Sequence, residues 1–297
     1  MKPVVFVHTN DKQLLGALVS QHSMRRHSRD PERFEVRILN TRDHRFMAGR
    51  DGQPYRRNGR TRIWRDDDLQ SFTPLRFHAP AAAGYTGRAL VVDPDVFAVG
   101  DVWELLSREM QDHALLCRVR PGSARRKTYF ASSVMLLDCA KLTHWRCAEA
   151  FAELFAGTRD YDAWMNLELE DPATIGLFED EWNDFDVLDG DTKLLHNTKR
   201  LTQPWKTGLP IDFTPADHAR PGVIGRWLGH ARAALTGEPP EGRYRPHPDA
   251  RQERFFFGLL RECLDAGIVT EELLHEEIRR RHLRPDAFAL LEATSAA

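Results

Sequence analysis

Long hydrophobic runs are missing from this chain. No apolar stretch approaches the roughly 18 residues that a membrane-spanning helix needs, so no transmembrane segment is expected. Met1-Lys-Pro-Val-Val-Phe-Val7 has neither the apolar core nor the cleavage site of a signal peptide. Charge of a single sign is missing too. The 42 basic residues face 44 acidic ones, so no global field points to a nucleic-acid partner. Cysteine is scarce, and Cys117, Cys139, Cys147 and Cys263 have no metal-type spacing. Cys117 and Cys139 sit in apolar, strand-like runs and read as core thiols rather than a disulfide framework. A cytoplasmic, reduced setting is therefore expected. No internal repeat is present.

What is there is a globular composition, 41% apolar and 29% charged over 297 residues, enough to bury a substantial core in one large domain or two. Basic residues gather locally, in Met24 to His27, Arg56 to Arg65 and Arg118 to Lys127. Such runs are solvated surface unless a phosphate site lies near, where they would help hold an anion.

Val4 to Val7 is an apolar strand, and Gln13 to His22 carries Leu14, Leu15, Leu18 and Val19 at helical spacing. Thr9, Asn10 and Asp11 between them suit a helix N-cap, and the top of a first strand is also where a nucleotide base can be met. Phe34 to Leu39 alternates and completes a βαβ opening, which favours an α/β fold with a parallel sheet. Asn40 to Asp68, rich in Arg, Gly and Asp, reads as a long loop of the binding-lid kind. Thr73 to His78 gives a helical turn or two, and Gly100-Asp-Val-Trp-Glu-Leu-Leu106 gives a capped short helix. Further strands are expected at Ala114 to Val119, Tyr129 to Asp138 and Ile175 to Phe178, with helices at Lys141 to Phe155 and Tyr161 to Leu169. Beyond Arg220 the character changes. Gly237 to Gly242 is linker-like, and Arg251 to Ala266 and Thr270 to Arg281 read as two amphipathic helices joined at Gly267. The division is thus drawn as 1–220 and a helical extension, 221–297. The apolar tail segment Phe255 to Leu264 suits packing, a homodimer contact or a membrane surface, with packing favoured by the acids mixed through both helices.

The stretch that carries chemistry is Arg88-Ala-Leu-Val-Val-Asp-Pro-Asp-Val-Phe97. Ala89 to Val92 is short enough for a buried strand, and Pro94 holds Asp93 and Asp95 where that strand leaves the sheet. Ligands of α/β sheets bind at such carboxyl ends, and paired carboxylates suit Mg²⁺ or Mn²⁺ bridging to phosphate. The same tripeptide also suits a plain solvated turn. His196, after an apolar pair, reads alone as a strand-end histidine, although Mn²⁺ accepts an imidazole beside carboxylates.

In order, these residues resemble the glycogenin-like retaining glycosyltransferases of family 8, which have the GT-A fold. Val91-Val-Asp-Pro-Asp-Val-Phe97 with Gly100-Asp-Val-Trp-Glu-Leu105 is similar to that family's D-x-D strand and the helix start after it. Tyr129-Phe-Ala-Ser-Ser-Val-Met-Leu-Leu137, Phe178-Glu-Asp-Glu-Trp-Asn183 and His196-Asn-Thr-Lys-Arg-Leu-Thr-Gln-Pro-Trp205 resemble its later motifs, over roughly residues 4 to 213. The resemblance implies a GT-A, Rossmann-like, mostly parallel mixed sheet flanked by helices. It implies Asp93, Asp95 and His196 as metal ligands, Thr9 and Asn10 beside the base, and Arg76 near the phosphates or base. Ala131, Ser133, Lys199 and Gln203 depart from the pattern, with Lys206 placed to supply the charge lost at Gln203. Asp162, in the loosely matched Asp160 to Asn166, is the candidate for contacting the donor sugar, and it also suits a helix N-terminal acid. The implied activity is Mn²⁺- or Mg²⁺-dependent transfer from a nucleotide sugar, a UDP-sugar being the expected donor, to an unknown acceptor. Two other classes compete. In one, Asp93 is a phosphatase nucleophile; in the other, the chain binds a nucleotide sugar without turning it over.

Overall fold

The structure is a computed structural model that describes residues 2–122, 127–213 and 242–295. It divides into two compact units, Met1–His196 and Asn197–Ala297. The position 220 and the Gly237 to Gly242 break lie wholly or largely outside the described residues.

In the first unit, β1 (Val4–Thr9) leads through a 3₁₀ turn into α1 (Leu14–Arg26), and β2 (Glu35–Asn40) returns parallel to β1. A hairpin, β3 (Pro54–Arg57) and β4 (Arg60–Ile63), follows. A 3₁₀ helix at Thr73–His78 and α2 (Ala79–Ala82) precede β5 (Arg88–Val92), β6 (Val96–Ala98) and α3 (Val102–Leu106). Then come β7 (Leu115–Arg120), β8 (Tyr129–Asp138), α4 (Cys147–Ala156) and α5 (Tyr161–Met165). The unit ends with β9 (Ile175–Leu177), β10 (Asp184–Phe185) and β11 (Leu194–His196).

The main sheet has the order β2-β1-β5-β8-β7-β9. Only β8 runs against the others, so the expected α/β class with a mixed, mostly parallel sheet is what the chain forms. The central strands are apolar on both faces because both faces are covered. Val4, Phe6, Ala89 and Val91 join a core with α4, while Val5, Val7, Leu90 and Val92 join one with α1 and α3. All four cysteines are buried and free, the outcome expected of Cys117 and Cys139.

Three local expectations differ from what forms. The stretch Asn40 to Asp68 contains two 3₁₀ turns and the β3–β4 hairpin. Its turn residues Asn58 and Gly59 have φ of 50° and 68°, the left-handed pair that a tight two-residue hairpin requires. The helix expected over Lys141 to Phe155 starts only at Cys147, and Leu142 and Trp145 are buried from the turns before it. The one expected over Tyr161 to Leu169 stops at Met165, where the chain turns through Leu167 at φ 60°.

In the second unit α6 (Ala250–Asp265) and α7 (Glu271–Arg279) match the two expected helices, with the chain turning through Gly267 at φ 68°. A third, α8 (Ala287–Ser295), was not anticipated. Trp205 stacks on Phe256 with ring centres 4.6 Å apart, and Phe257, Leu260 and Cys263 are buried with it, so the apolar tail segment packs within its own unit. No helix among the described residues is long and apolar enough to cross a membrane.

Candidate metal centre

The Asp93-Pro94-Asp95 segment is fixed from three directions. Val92 pairs with Val134, and the Asp93 amide donates to the Ser133 carbonyl, which carries the sheet up to the first acid. From below, α1 packs so closely that a Cβ on Gly16 would stand 2.7 Å from the Pro94 carbonyl oxygen. Three buried serines complete the attachment. Ser20 Oγ donates to the Val96 carbonyl at 2.6 Å, Ser23 Oγ accepts from Ala98 N at 2.9 Å, and Ser28 Oγ accepts from Val102 N at 3.2 Å.

His196 reaches the same place through a second, small sheet of order β10-β11-β6. β11 runs antiparallel to β6, with His196 opposite Val96, the residue after Asp95. The register therefore brings together residues a hundred positions apart. One donor atom each from Asp93, Asp95 and His196 lies within 4.8 Å of the others, and all three residues are buried. His196 Nε2 is 3.3 Å from Asp95 Oδ1.

The ring's orientation is set from behind. Asn183 Nδ2 donates to Ser133 Oγ at 3.1 Å, which turns the amide oxygen to His196 Nδ1 at 2.8 Å. Nδ1 then carries the hydrogen and Nε2 a lone pair, the usual way a ligating histidine is held. Nε2 faces a carboxylate oxygen in a buried site, an arrangement that a bound cation would satisfy. Two carboxylates and one imidazole fit Mn²⁺, and Mg²⁺ less well because of the nitrogen.

Asp93 is also held by other protein groups. Arg76 Nε donates to its Oδ1 at 2.9 Å and Nη2 to Oδ2 at 2.5 Å, while His8 Nε2 meets Oδ1 at 2.9 Å. Burial would push this carboxyl's pKa up, but the Arg76 guanidinium and the His8 hydrogen bond outweigh it and hold the pKa below the ordinary carboxylate range. Burial lowers the pKa of His8 against the pull of Asp93, so a neutral ring donates through Nε2. The third Arg76 donor, Nη1, goes to Ser132 Oγ at 2.8 Å. All three Arg76 nitrogens thus face Asp93 and Ser132, whereas the resemblance implied a phosphate or base contact.

The other expected residues are placed as follows. Thr9 is fully buried, and its hydroxyl donates to the Asn10 carbonyl at 3.0 Å. Asn10 Nδ2 donates to the Asp68 carbonyl and to Ser71 Oγ, each at 2.9 Å, and its buried Oδ1 has no hydrogen-bond partner among the described residues. Neither side chain caps the turn after β1, nor does Asp11, which pairs with Arg42. Asp162 lies in the first turn of α5 and accepts from Arg57 Nε at 3.0 Å. Lys206 belongs to the second unit, where it is buried with Nζ 2.7 Å from Asp212 Oδ2.

His8, Ser132 and Asn183 are not singled out by the sequence, and Ser133 is marked there only as a departure from the family pattern. Ser132 lies within Tyr129-Phe-Ala-Ser-Ser-Val-Met-Leu-Leu137, and Asn183 is the last residue of Phe178-Glu-Asp-Glu-Trp-Asn183. Ser132 and Ser133 are turned to the site where the β7–β8 register slips between Cys117 and Arg118, an irregularity of the kind that re-aims side chains.

No protein-family model matches the chain, and no curated protein is significantly similar to it. Solved structures of similar course include the galactosyltransferase LgtC in complex with donor and acceptor sugar analogs, at 13% identity and TM-score 0.45, over 68% of this chain and 89% of that one. The glycosyltransferase GlyE of Streptococcus pneumoniae TIGR4 matches at 14% identity and TM-score 0.48, over 90% of this chain and 64% of its own. The bifunctional WbbM matches at 13% identity and TM-score 0.46, over 69% and 47%. With identities and scores this low, what the site does is read from its own side chains.

Proposed function

We propose that the chain is a metal-dependent glycosyltransferase acting on a nucleotide-sugar donor, a UDP-sugar, with retention at the anomeric carbon. The observation that carries this is the buried Asp93–Asp95–His196 cluster at the carboxyl end of the central strand, with the His196 lone pair aimed into it by Asn183. Mn²⁺ or Mg²⁺ bound there would supply Lewis-acid stabilisation of the departing diphosphate. Arg76 and His8 keep Asp93 ionised and fixed. The end of β1, with Thr9 and Asn10, is the place proposed for the base, and Asp162, oriented by Arg57, for the donor sugar.

The phosphatase reading loses support from the same geometry. A nucleophile-and-acid pair of carboxylates leaves His196, turned towards Asp95 by Asn183, without a part, whereas a metal centre uses it. One observation favours binding without turnover. Ala131, a buried methyl, stands where the family carries a sugar-contacting amide, and the neighbouring Ser133 hydroxyl is engaged by Asn183.

Calorimetry with UDP and Mn²⁺, followed by assay of a UDP-sugar panel for released sugar, tests this. The wild-type chain is expected to bind UDP only with the metal and to hydrolyse at least one donor slowly, and Asp95→Ala and His196→Ala to lose both. Metal-independent binding would sink the proposal. Binding with no turnover of any donor would favour the non-catalytic reading.

A further inference from the structure

We infer that Arg120 is a phosphate-binding residue that holds the donor's diphosphate, positioned for it by stacking on Phe185. The inference rests on the glycosyltransferase reading and deepens it.

β7 runs in the same direction as β1 and β5, so Arg118 and Arg120 leave the sheet at the edge where Asp93 does. Two positions apart on a strand, they share a face. Each guanidinium carbon lies 4.4 Å from the centre of the Phe185 ring. Phe185 is in turn the register partner of His196 across β10 and β11, with ring centres 5.6 Å apart. A continuous line of contacts therefore joins Arg120 to the candidate metal ligand.

Charge separates the two arginines. Arg118 Nη2 is 2.8 Å from Asp180 Oδ2, Nη1 is 3.9 Å from Asp184 Oδ1, and Nη1 also donates to the Asn183 carbonyl at 2.6 Å. Arg76 is matched by Asp93 in the same way. Arg120 has no carboxylate partner among the described residues, and it is only half-buried. Its ring contact leaves the in-plane N–H fork unspent, and that fork fits two phosphate oxygens. A diphosphate held at Asp95 and His196 brings negative charge to this edge, where Arg120, unlike Arg76 and Arg118, has no acid of its own among the described residues.

The test uses the full chain with Mn²⁺ and two probes, UDP and UMP, measured by calorimetry. Arg120→Gln is expected to weaken UDP binding about tenfold or more, the worth of one charge-assisted contact. UMP binding, Mn²⁺ affinity and Tm should hardly change, so the UDP-to-UMP affinity ratio collapses. Phe185→Leu should reduce the same ratio in part, and Arg120→Lys should restore little of it, because an ammonium lacks the planar fork. A merely structural role would lower Tm and weaken both nucleotides together, and that result overturns the inference. So does an unchanged ratio in Arg120→Gln when the wild-type chain binds UDP normally; the glycosyltransferase reading then stands. Absence of Mn²⁺-dependent UDP binding in the wild-type chain overturns both.

Discussion

Asp93 and His196 are each oriented by neighbouring side chains, and the two cases differ in energy. Arg76 and Asp93 form a buried, bidentate ion pair, so Arg76 is needed chiefly because its loss would strand a buried charge. Asn183 acts on His196 through a single hydrogen bond, which fixes a tautomer at modest cost to the fold. Asn183→Ala should therefore lower Mn²⁺ affinity about 10- to 100-fold, the usual effect of removing a partner behind a ligating histidine. A Mn²⁺ titration followed by electron paramagnetic resonance measures it, with Tm as the control for folding. Affinity unchanged in a folded variant would mean that Asn183 does not set the ring.

At the scale of elements, α1 is the support on which the candidate metal centre rests. Among its buried residues Leu15, Val19 and Met24 are apolar, whereas those that meet Pro94, Val96 and Ala98 are the small or polar Gly16, Ser20 and Ser23. The serine hydroxyls satisfy the backbone of β6, and Gly16 lets the helix come up against Pro94. A methyl at that position meets backbone, which cannot swing aside as a side-chain tip would. Gly16→Ala is thus expected to displace the Asp93 to Asp95 segment, weakening Mn²⁺-dependent UDP binding several-fold and lowering Tm. Ala17→Gly, one position along, should lower Tm by loss of helix propensity and leave binding nearly intact. Equal effects of both variants on binding would show that the close approach to Pro94 does not matter. The β3–β4 hairpin is tied down at its tip. Asp160 caps α5 through the amides of Asp162 and Ala163, and it also accepts from Asn58 N and Gly59 N. One carboxylate therefore orders both the hairpin carrying Arg57 and the helix carrying Asp162.

For the molecule as a whole, pH should act on stability through a histidine pair away from the candidate metal centre. His44 and His78 meet edge to face with ring centres 4.6 Å apart. Burial and the neighbouring His44 lower the pKa of His78 from 6.5 to about 4, and burial lowers that of His44 as well. A depressed histidine pKa means that the unfolded chain binds the proton first, so stability is full above about 6.5 and is lost as pH falls towards about 4. Urea unfolding across that window should show this loss, and His78→Leu should flatten it. An equal slope in wild type and variant would place the acid sensitivity elsewhere.

Much of this could be read before any coordinates. The apolar run that ends in Asp93-Pro94-Asp95 marked a buried strand and the paired acids at its end, because strand burial and proline geometry are local properties. The turn at Asn58-Gly59 was equally local, and the dipeptide is itself a hairpin signal, but the arginines around it made the stretch read as loop. The tertiary structure alone decided which polar residues meet. His196 reaches Asp95 only through the antiparallel register of β11 on β6, and Asn183 reaches His196 only because β10 lies beside β11. His8, Arg76 and Ser132 converge on one corner from three separate strands and turns. Such contacts leave no period and no spacing in the chain, since a residue's partners across a sheet depend on strand order and register, and one residue of slip would turn the strand residues His8, Ser132 and His196 to the opposite face.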